Sequence, residues 1–205
     1  MKNTVIFDLD GTLVNSIPFH FRIHKKVFKK FGVDLSKEYF EKYCNGTEPH
    51  EFYGRILQHY LGSCELLDKA WNEQKKYKMY SGLQTIKTYP GVKTLLKSLK
   101  KKNYKMAVAS SSHLDYVNKI LSYNNITDYF EHIVGSDHVK ESKPNPAIFL
   151  QARKMVNTPK KECIIIEDSI NGAIAAKRAG IDVICVLTSE KKEDIPNYAK
   201  TAKKH

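Results

Sequence analysis

Thr4-Val5-Ile6-Phe7-Asp8-Leu9-Asp10-Gly11-Thr12-Leu13 lies near the start of the chain and governs how the rest is read. Thr4 to Phe7 are all β-branched or aromatic, with no alternation of polar residues. Such a run predicts a strand buried on both faces, as in a parallel sheet. The predicted strand, Thr4–Asp8, leads directly into a second carboxylate, Asp10. Gly11 permits a sharp turn, so that Asp8 and Asp10 can converge on one centre. The carboxyl ends of strands in open α/β sheets are where ligands bind. Like charges packed together are costly without a cation, so the pair implies a metal; an all-oxygen donor set with no local histidine or cysteine pattern suits Mg²⁺. Asp-Gly is also ordinary turn chemistry, and by itself the pair leaves both readings open.

Similar apolar runs predict strands at Lys105–Ala109, Cys163–Glu167 and Val183–Leu187, with a weaker one at His132–Gly135. Helical patterns lie between them. His113–Tyr123 puts Leu114, Val117, Ile120 and Leu121 on one face. Pro146 occupies a first-turn position ahead of Ile148, Phe149, Ala152 and Met155. The alanine-rich stretch Ser169–Ala179 stops at Gly180. Strands alternating with helices from Pro90 to Leu187 predict an α/β fold with a doubly wound parallel sheet, Rossmann-like in character. Residues 16–82 break the alternation. Phe21, Val27, Phe28 and Phe31, then Phe52, Ile56 and Leu57, then Leu66, Leu67, Ala70 and Trp71 recur at helical spacing, and no strand pattern intervenes. The expected organisation is a discontinuous sheet domain, 1–15 and 83–205, holding an all-α insert, 16–82. Glu190 to His205 reads as a loosely held tail with room for a short helix.

Composition bounds the function. The 205 residues, 41% of them hydrophobic, suit one domain, or one domain with a modest insert. No apolar stretch approaches the roughly 18 residues of a membrane span, and the run Val5–Phe7 is cut by Asp8 before it could form a signal-peptide core. The cytoplasm is the expected compartment. Four cysteines, Cys44, Cys64, Cys163 and Cys185, form no CxxC pair, which argues against a zinc site, a redox motif or a disulfide framework. The net charge of +12 favours anionic partners. Its lysines fall in small groups at helical spacing, the pattern of a solvated face, and no nucleic-acid-binding motif stands among them.

Three later segments add to the first. Ser110-Ser111-Ser112 ends the second strand, where hydroxyls and helix-start amides could hold a phosphate, although serines also cap helices for purely structural reasons. Ser142-Lys143-Pro144-Asn145-Pro146 fixes a lysine on a short loop between rigid elements. Glu167-Asp168-Ser169, followed by Asn171-Gly172, puts two adjacent carboxylates at a strand end, where a helix cap accounts for only one. Paired aspartates, serine, lysine and paired acids, each at a strand or loop end, are hard to explain as four independent structural accidents.

In that order and setting the segments resemble the haloacid dehalogenase superfamily of aspartyl phosphotransferases, and most closely its β-phosphoglucomutase-like branch with a helical cap. Asp8-Leu9-Asp10-Gly11-Thr12 matches the first motif, Ser110 the second, Lys143 the third, and Glu167-Asp168-Ser169 with Asn171-Gly172 the fourth. His20-Phe21-Arg22, at the entrance to the insert, is also similar to that branch. The resemblance implies that Asp8 is the nucleophile and Asp10 the acid/base. It implies Mg²⁺ held by Asp8, Asp10 (through its backbone carbonyl) and Asp168 with Glu167 nearby, and phosphoryl oxygens held by Ser110 and Lys143. Gly11, Ser111, Gly46, His20 and His113 are further candidates for the phosphate or substrate site. His24 is expected to be solvated on a basic helix face, and His50 lies in the loop expected to meet substrate. The expected partner is a small phosphorylated metabolite, with no specific nucleic acid and no membrane, and a monomer is expected because one inserted cap can close its own site.

Departures from the branch narrow the activity. A dehalogenase needs neither the second aspartate nor the acidic cluster. A sugar phosphomutase uses a cap-loop arginine for its second phosphate, and Asn45-Gly46-Thr47-Glu48-Pro49-His50 has none; His113 stands where the mutase has lysine. Hydrolysis is therefore expected over mutation. A β-phosphoglucomutase-type activity is the alternative, because Arg55 or the cap lysines could compensate. The non-enzyme alternatives are a basic nucleic-acid-binding module and a catalytically silent relative, the latter at odds with two intact acidic clusters.

Overall fold

In a computed structural model of the chain, which describes residues 2–43, 49–76 and 82–202, Thr4–Phe7 forms strand β1 with every side chain buried. The other strands are β2 (Lys105–Ala109), β3 (His132–Val134), β4 (Cys163–Glu167), β5 (Asp182–Val186) and β6 (Lys200–Ala202). They form one six-stranded sheet in the order β3-β2-β1-β4-β5-β6. Every pairing is parallel, with Thr4 opposite both Lys105 and Cys163. The chain builds outward from β1 first on one side and then on the other. The winding reverses between β1 and β4, and the crevice outside their carboxyl ends is the topological switch point of the sheet.

The chain divides into two compact units, Met1–Asn15 with Gln84–His205, and Ser16–Leu83. The second contains helices α1 (Ile17–Lys29), α2 (Lys37–Tyr43), α3 (Pro49–Leu61) and α4 (Leu67–Lys76). The first contains α5 (Val92–Lys101), α6 (Leu114–Tyr123), α7 (Ala147–Met155) and α8 (Ile170–Ala179). Helix α8 buries Ala173, Ala175, Ala176 and Ala179, small side chains that let it lie close on the sheet. It starts at Ser169, whose hydroxyl accepts the Gly172 N–H, and stops at Gly180 in the left-handed region. Pro146 stands at the N-cap of α7, one position earlier than expected, and His113 caps α6. Cys163 and Cys185 are buried free thiols, as the apolar runs around them imply. Among the described residues no helix is long and apolar enough to cross a membrane.

The expectation of a loose tail after Glu190 is overturned. Ile195 is buried in the sheet unit's core, and Lys200–Ala202 adds β6, with Cys185 opposite Thr201. Three residues headed by a lysine carry too little pattern to announce a strand, but a short, charged strand is what an exposed sheet edge tolerates.

The expectation for His24 is also overturned. The helical unit packs Val27, Phe28, Val33, Leu35, Phe40, Phe52, Tyr53, Ile56, Leu57 and Ala70 into one apolar cluster. His24 lies one turn before Phe28 on α1 and is buried with them, its Nδ1 2.9 Å from the Tyr53 hydroxyl and its ring 4.9 Å from that of Phe52. Burial, with a smaller contribution from His20, lowers its pKa from 6.5 to about 3. The folded protein therefore refuses a proton that the unfolded chain accepts below pH 6.5. His24 destabilises the fold progressively as pH falls from 6.5 towards 3, by about 1.4 kcal/mol per pH unit. His24→Phe should flatten this acid slope, read as the difference between urea midpoints of the two proteins from pH 7 down to pH 4.5. Parallel slopes would show that His24 takes up its proton in the fold.

Candidate active site

The β1–β4 hydrogen-bond ladder reaches Asp8, whose N–H donates to Ile166 O at 2.9 Å, so the ends of β1 and β4 are in step. Immediately beyond, the chain turns: the N–H groups of Leu13 and Val14 both donate to Leu9 O. Gly11 is required here twice. Its φ is +84°, in the left-handed region, and a Cβ on it would run into the Asp168 carboxylate and the Ser189 hydroxyl. Thr188 Oγ1 donates to Gly11 O at 2.5 Å, tying this turn to the segment after β5.

At the end of β4, Glu167 Oε2 accepts the N–H groups of Asp168 and Ser169, each at 2.6 Å, and the Ser169 hydroxyl at 3.0 Å. Its carboxylate lies where a side chain on residue 172 would project, which only Gly172 allows. Asp168 turns its carboxylate towards the β1 turn, accepting from Thr12 Oγ1 at 3.3 Å and from the Ser189 hydroxyl. Lys143 comes from the loop before α7. Its Nζ donates to Asp8 Oδ1 at 2.6 Å and Glu167 Oε1 at 2.7 Å and lies 4.7 Å from the centre of the Phe149 ring. The Lys143 side chain is 5% exposed.

Carboxylate oxygens of Asp8, Glu167 and Asp168 all lie within 4.8 Å of one another, and all three residues are buried. Burial raises the Asp8 pKa to about 7; Lys143 pulls it back, while Glu167 and Asp10 push it further up. Burial likewise holds Asp168 well above the carboxylate range, reinforced by Glu167 and Asp8. Lys143 is opposed by burial, but Asp8 and Glu167 outweigh that and keep the ammonium charged. Three acids facing one base leave the group short of positive charge, and its donors are all hard oxygens. This donor set fits a divalent cation of the Mg²⁺ kind.

Asp10 is engaged separately. Its Oδ2 accepts from Ser112 Oγ at 2.8 Å and its Oδ1 from the Tyr116 hydroxyl at 2.9 Å. Ser110 is buried, with its Oγ accepting the Ser112 N–H at 3.0 Å, whereas Ser111 is exposed. His113 is exposed, its Nδ1 3.9 Å from Asp137. His20 belongs to the helical unit, half-buried with its ring stacked on that of His24, and His50 stands edge-on to Trp71. Gly46 lies outside the described residues. Sequence reasoning overlooked Tyr116, Thr188 and Ser189. The last two were signalled by hydroxyl residues directly after a strand; Tyr116 was hidden among the apolar positions of α6.

Fold and site together describe an α/β protein whose buried carboxylates meet at the switch point of its sheet. The family model for haloacid dehalogenase-like hydrolase matches residues 5–186. A phosphorylated carbohydrates phosphatase from Thermotoga maritima is 32% identical over 183 residues, 88% of this chain and 82% of its own. A phosphoglycolate phosphatase from Colwellia psychrerythraea is 28% identical over 197 residues, 89% of this chain and 83% of its own. Among solved structures, β-phosphoglucomutase from Clostridium difficile is similar with a TM-score of 0.81 and 28% identity, covering 98% of this chain and 91% of its own. The chain belongs to the haloacid dehalogenase-like hydrolases and has the fold of their β-phosphoglucomutase-like branch.

Gly11→Ala should therefore displace the Asp168 carboxylate and lower turnover by about 10²-fold or more, because a misplacement of about 1 Å in an active site has that effect. Far-UV circular dichroism should remain unchanged. Unimpaired turnover in a folded G11A protein would show that the approach of Gly11 to Asp168 is not needed.

Proposed function

We propose that this enzyme is a Mg²⁺-dependent phosphatase of small phosphorylated metabolites that works through an aspartyl phosphate on Asp8. The observation that carries the reading is the buried grouping of Asp8, Glu167 and Asp168 around one end of the sheet, with Lys143 bridging the first two. In the first step an Asp8 carboxylate oxygen attacks phosphorus, the bond from phosphorus to the leaving oxygen breaks, and Asp10 gives that oxygen its proton. In the second, water attacks phosphorus, the bond to Asp8 breaks, and Asp10 takes the water's proton. Lys143 and the Ser110 hydroxyl are assigned to the phosphoryl oxygens. One such preorganised donor contributes about 10²–10³ in rate. Asp8, Asp168 and the Asp10 carbonyl, with Glu167 nearby, would hold Mg²⁺, whose charge offsets the repulsion between a carboxylate and a phosphate.

Relatives named as phosphatases of phosphorylated carbohydrates and of phosphoglycolate support a small phosphate ester as substrate. The likeness to β-phosphoglucomutase keeps a mutase reading in play. Against it stands the sequence 45–50, which lacks arginine, and Arg55 on α3 pairs with Glu51 one turn earlier. A monomer acting in the cytoplasm is part of the proposal.

The test is phosphate release over a panel of hexose, deoxysugar and glycolate phosphates and nucleotides, run with Mg²⁺ and with chelator, together with glucose 1-phosphate and a bisphosphate primer. Phosphate release that chelator abolishes, and that Asp8→Asn abolishes in a folded protein, is expected. Near-normal release by Asp8→Asn would refute the aspartyl-phosphate route, and isomerisation of glucose 1-phosphate without net release would make the enzyme a mutase.

A further inference from the structure

Asp10 and Asp8 are two residues apart on one turn, yet they are anchored differently. Asp8 is held by a buried ammonium, Asp10 by hydroxyls, one on each carboxylate oxygen. With Oδ1 and Oδ2 both accepting, the carboxyl plane is fixed as well as its position. The two donors come from the single β2–α6 connection: Ser112 from the loop, and Tyr116 from the first turn of α6. That connection is itself well tied. The Ser112 N–H donates to Ser110 Oγ, the Leu114 N–H donates to Asp137 Oδ1, and Gly135 sits so close to Leu114 that a Cβ there would meet its N atom at 2.5 Å. Tyr116 is 2% exposed, so its ring is clasped by the core and its hydroxyl reaches Asp10 on a lever with little freedom. A phenol locked by packing is the kind of support that holds a reactive group within a few tenths of an ångström of its working geometry.

We infer that Tyr116 is the positioning residue for Asp10: its phenol, with the Ser112 hydroxyl, aims the Asp10 carboxyl at the leaving oxygen of the substrate. The inference rests on the proposed phosphatase reading and adds to it a residue that none of the motifs contains. A residue that aims an acid matters in proportion to how much the leaving group needs a proton. An alkyl phosphate expels an alkoxide and depends on the acid. p-Nitrophenyl phosphate expels a stabilised phenolate and does not. Because kcat/KM reports only the steps through formation of the phospho-aspartate, it isolates the acid role of Asp10 from its later role as base.

The experiment compares kcat/KM of the parent enzyme, Tyr116→Phe and Ser112→Ala on the alkyl phosphate of the panel turned over fastest and on p-nitrophenyl phosphate. Tyr116→Phe keeps the buried ring and removes only the hydroxyl. We expect it to lower kcat/KM for the alkyl phosphate by about 10- to 100-fold, as for a misaligned catalytic group, and for p-nitrophenyl phosphate by less than about threefold. Ser112→Ala should show the same asymmetry. An equal fall on both substrates, or no fall, overturns the inference while leaving the phosphatase reading intact. A folded parent enzyme that turns over neither substrate with Mg²⁺ overturns both.

Discussion

A lysine wedged between two buried carboxylates is the interaction on which the site depends. Lys143 spans Asp8 and Glu167 from a loop that belongs to neither of their strands. Removing one partner of a buried ion pair typically costs about 3–5 kcal/mol, because the remaining charge is stranded away from water. Here the stranding is already partial, since Asp168 has no cationic partner of comparable closeness among the described contacts. The arrangement gives up stability for a concentration of negative charge that a divalent ion can satisfy. Charge of this kind is unusual in a core unless it has chemical work to do.

The surrounding fold makes the concentration possible. The parallel ladder brings Asp8 and Glu167 to the same end of adjacent strands, with Phe7 opposite Ile166 and Asp8 bonded to Ile166 O. Glycine at 11 and at 172 then removes the two side chains that would obstruct Asp168 and Glu167. Thr188 and Ser189, beyond β5, brace the Gly11 turn and Asp168 from a third direction. The acidic group therefore sits on rigid elements and is braced by hydroxyls, which constrain carboxylates without neutralising them.

Much of this was legible in the sequence because the decisive signals were local. Uninterrupted apolar runs marked five of the six strands, and a carboxylate at the end of such a run marks a reactive edge without reference to anything distant. Lys143 was found because prolines framed it. The residues that escaped are those whose importance is set by tertiary contact alone. Tyr116 looks like one more apolar position on α6 until its hydroxyl is seen on Asp10. His24 looks solvated among lysines until α1 is rotated by its packing to face Phe40, Phe52 and Tyr53. β6 is three residues long, and an edge strand of that length is defined by the neighbour it pairs with, not by its own composition.

The central claim, that Asp8 and Asp168, with Glu167 nearby, form a binding site for one divalent ion, is tested most directly by thermal unfolding of the full chain with and without excess Mg²⁺. An ion that binds the fold and not the unfolded chain stabilises by about 2.7 kcal/mol at a hundredfold excess over its dissociation constant, which for a chain of this size shifts the midpoint by about 5–10 °C. The account predicts such a rise for the parent protein and its loss in Asp168→Asn. A midpoint that Mg²⁺ leaves unmoved, or moves equally in both proteins, would contradict it.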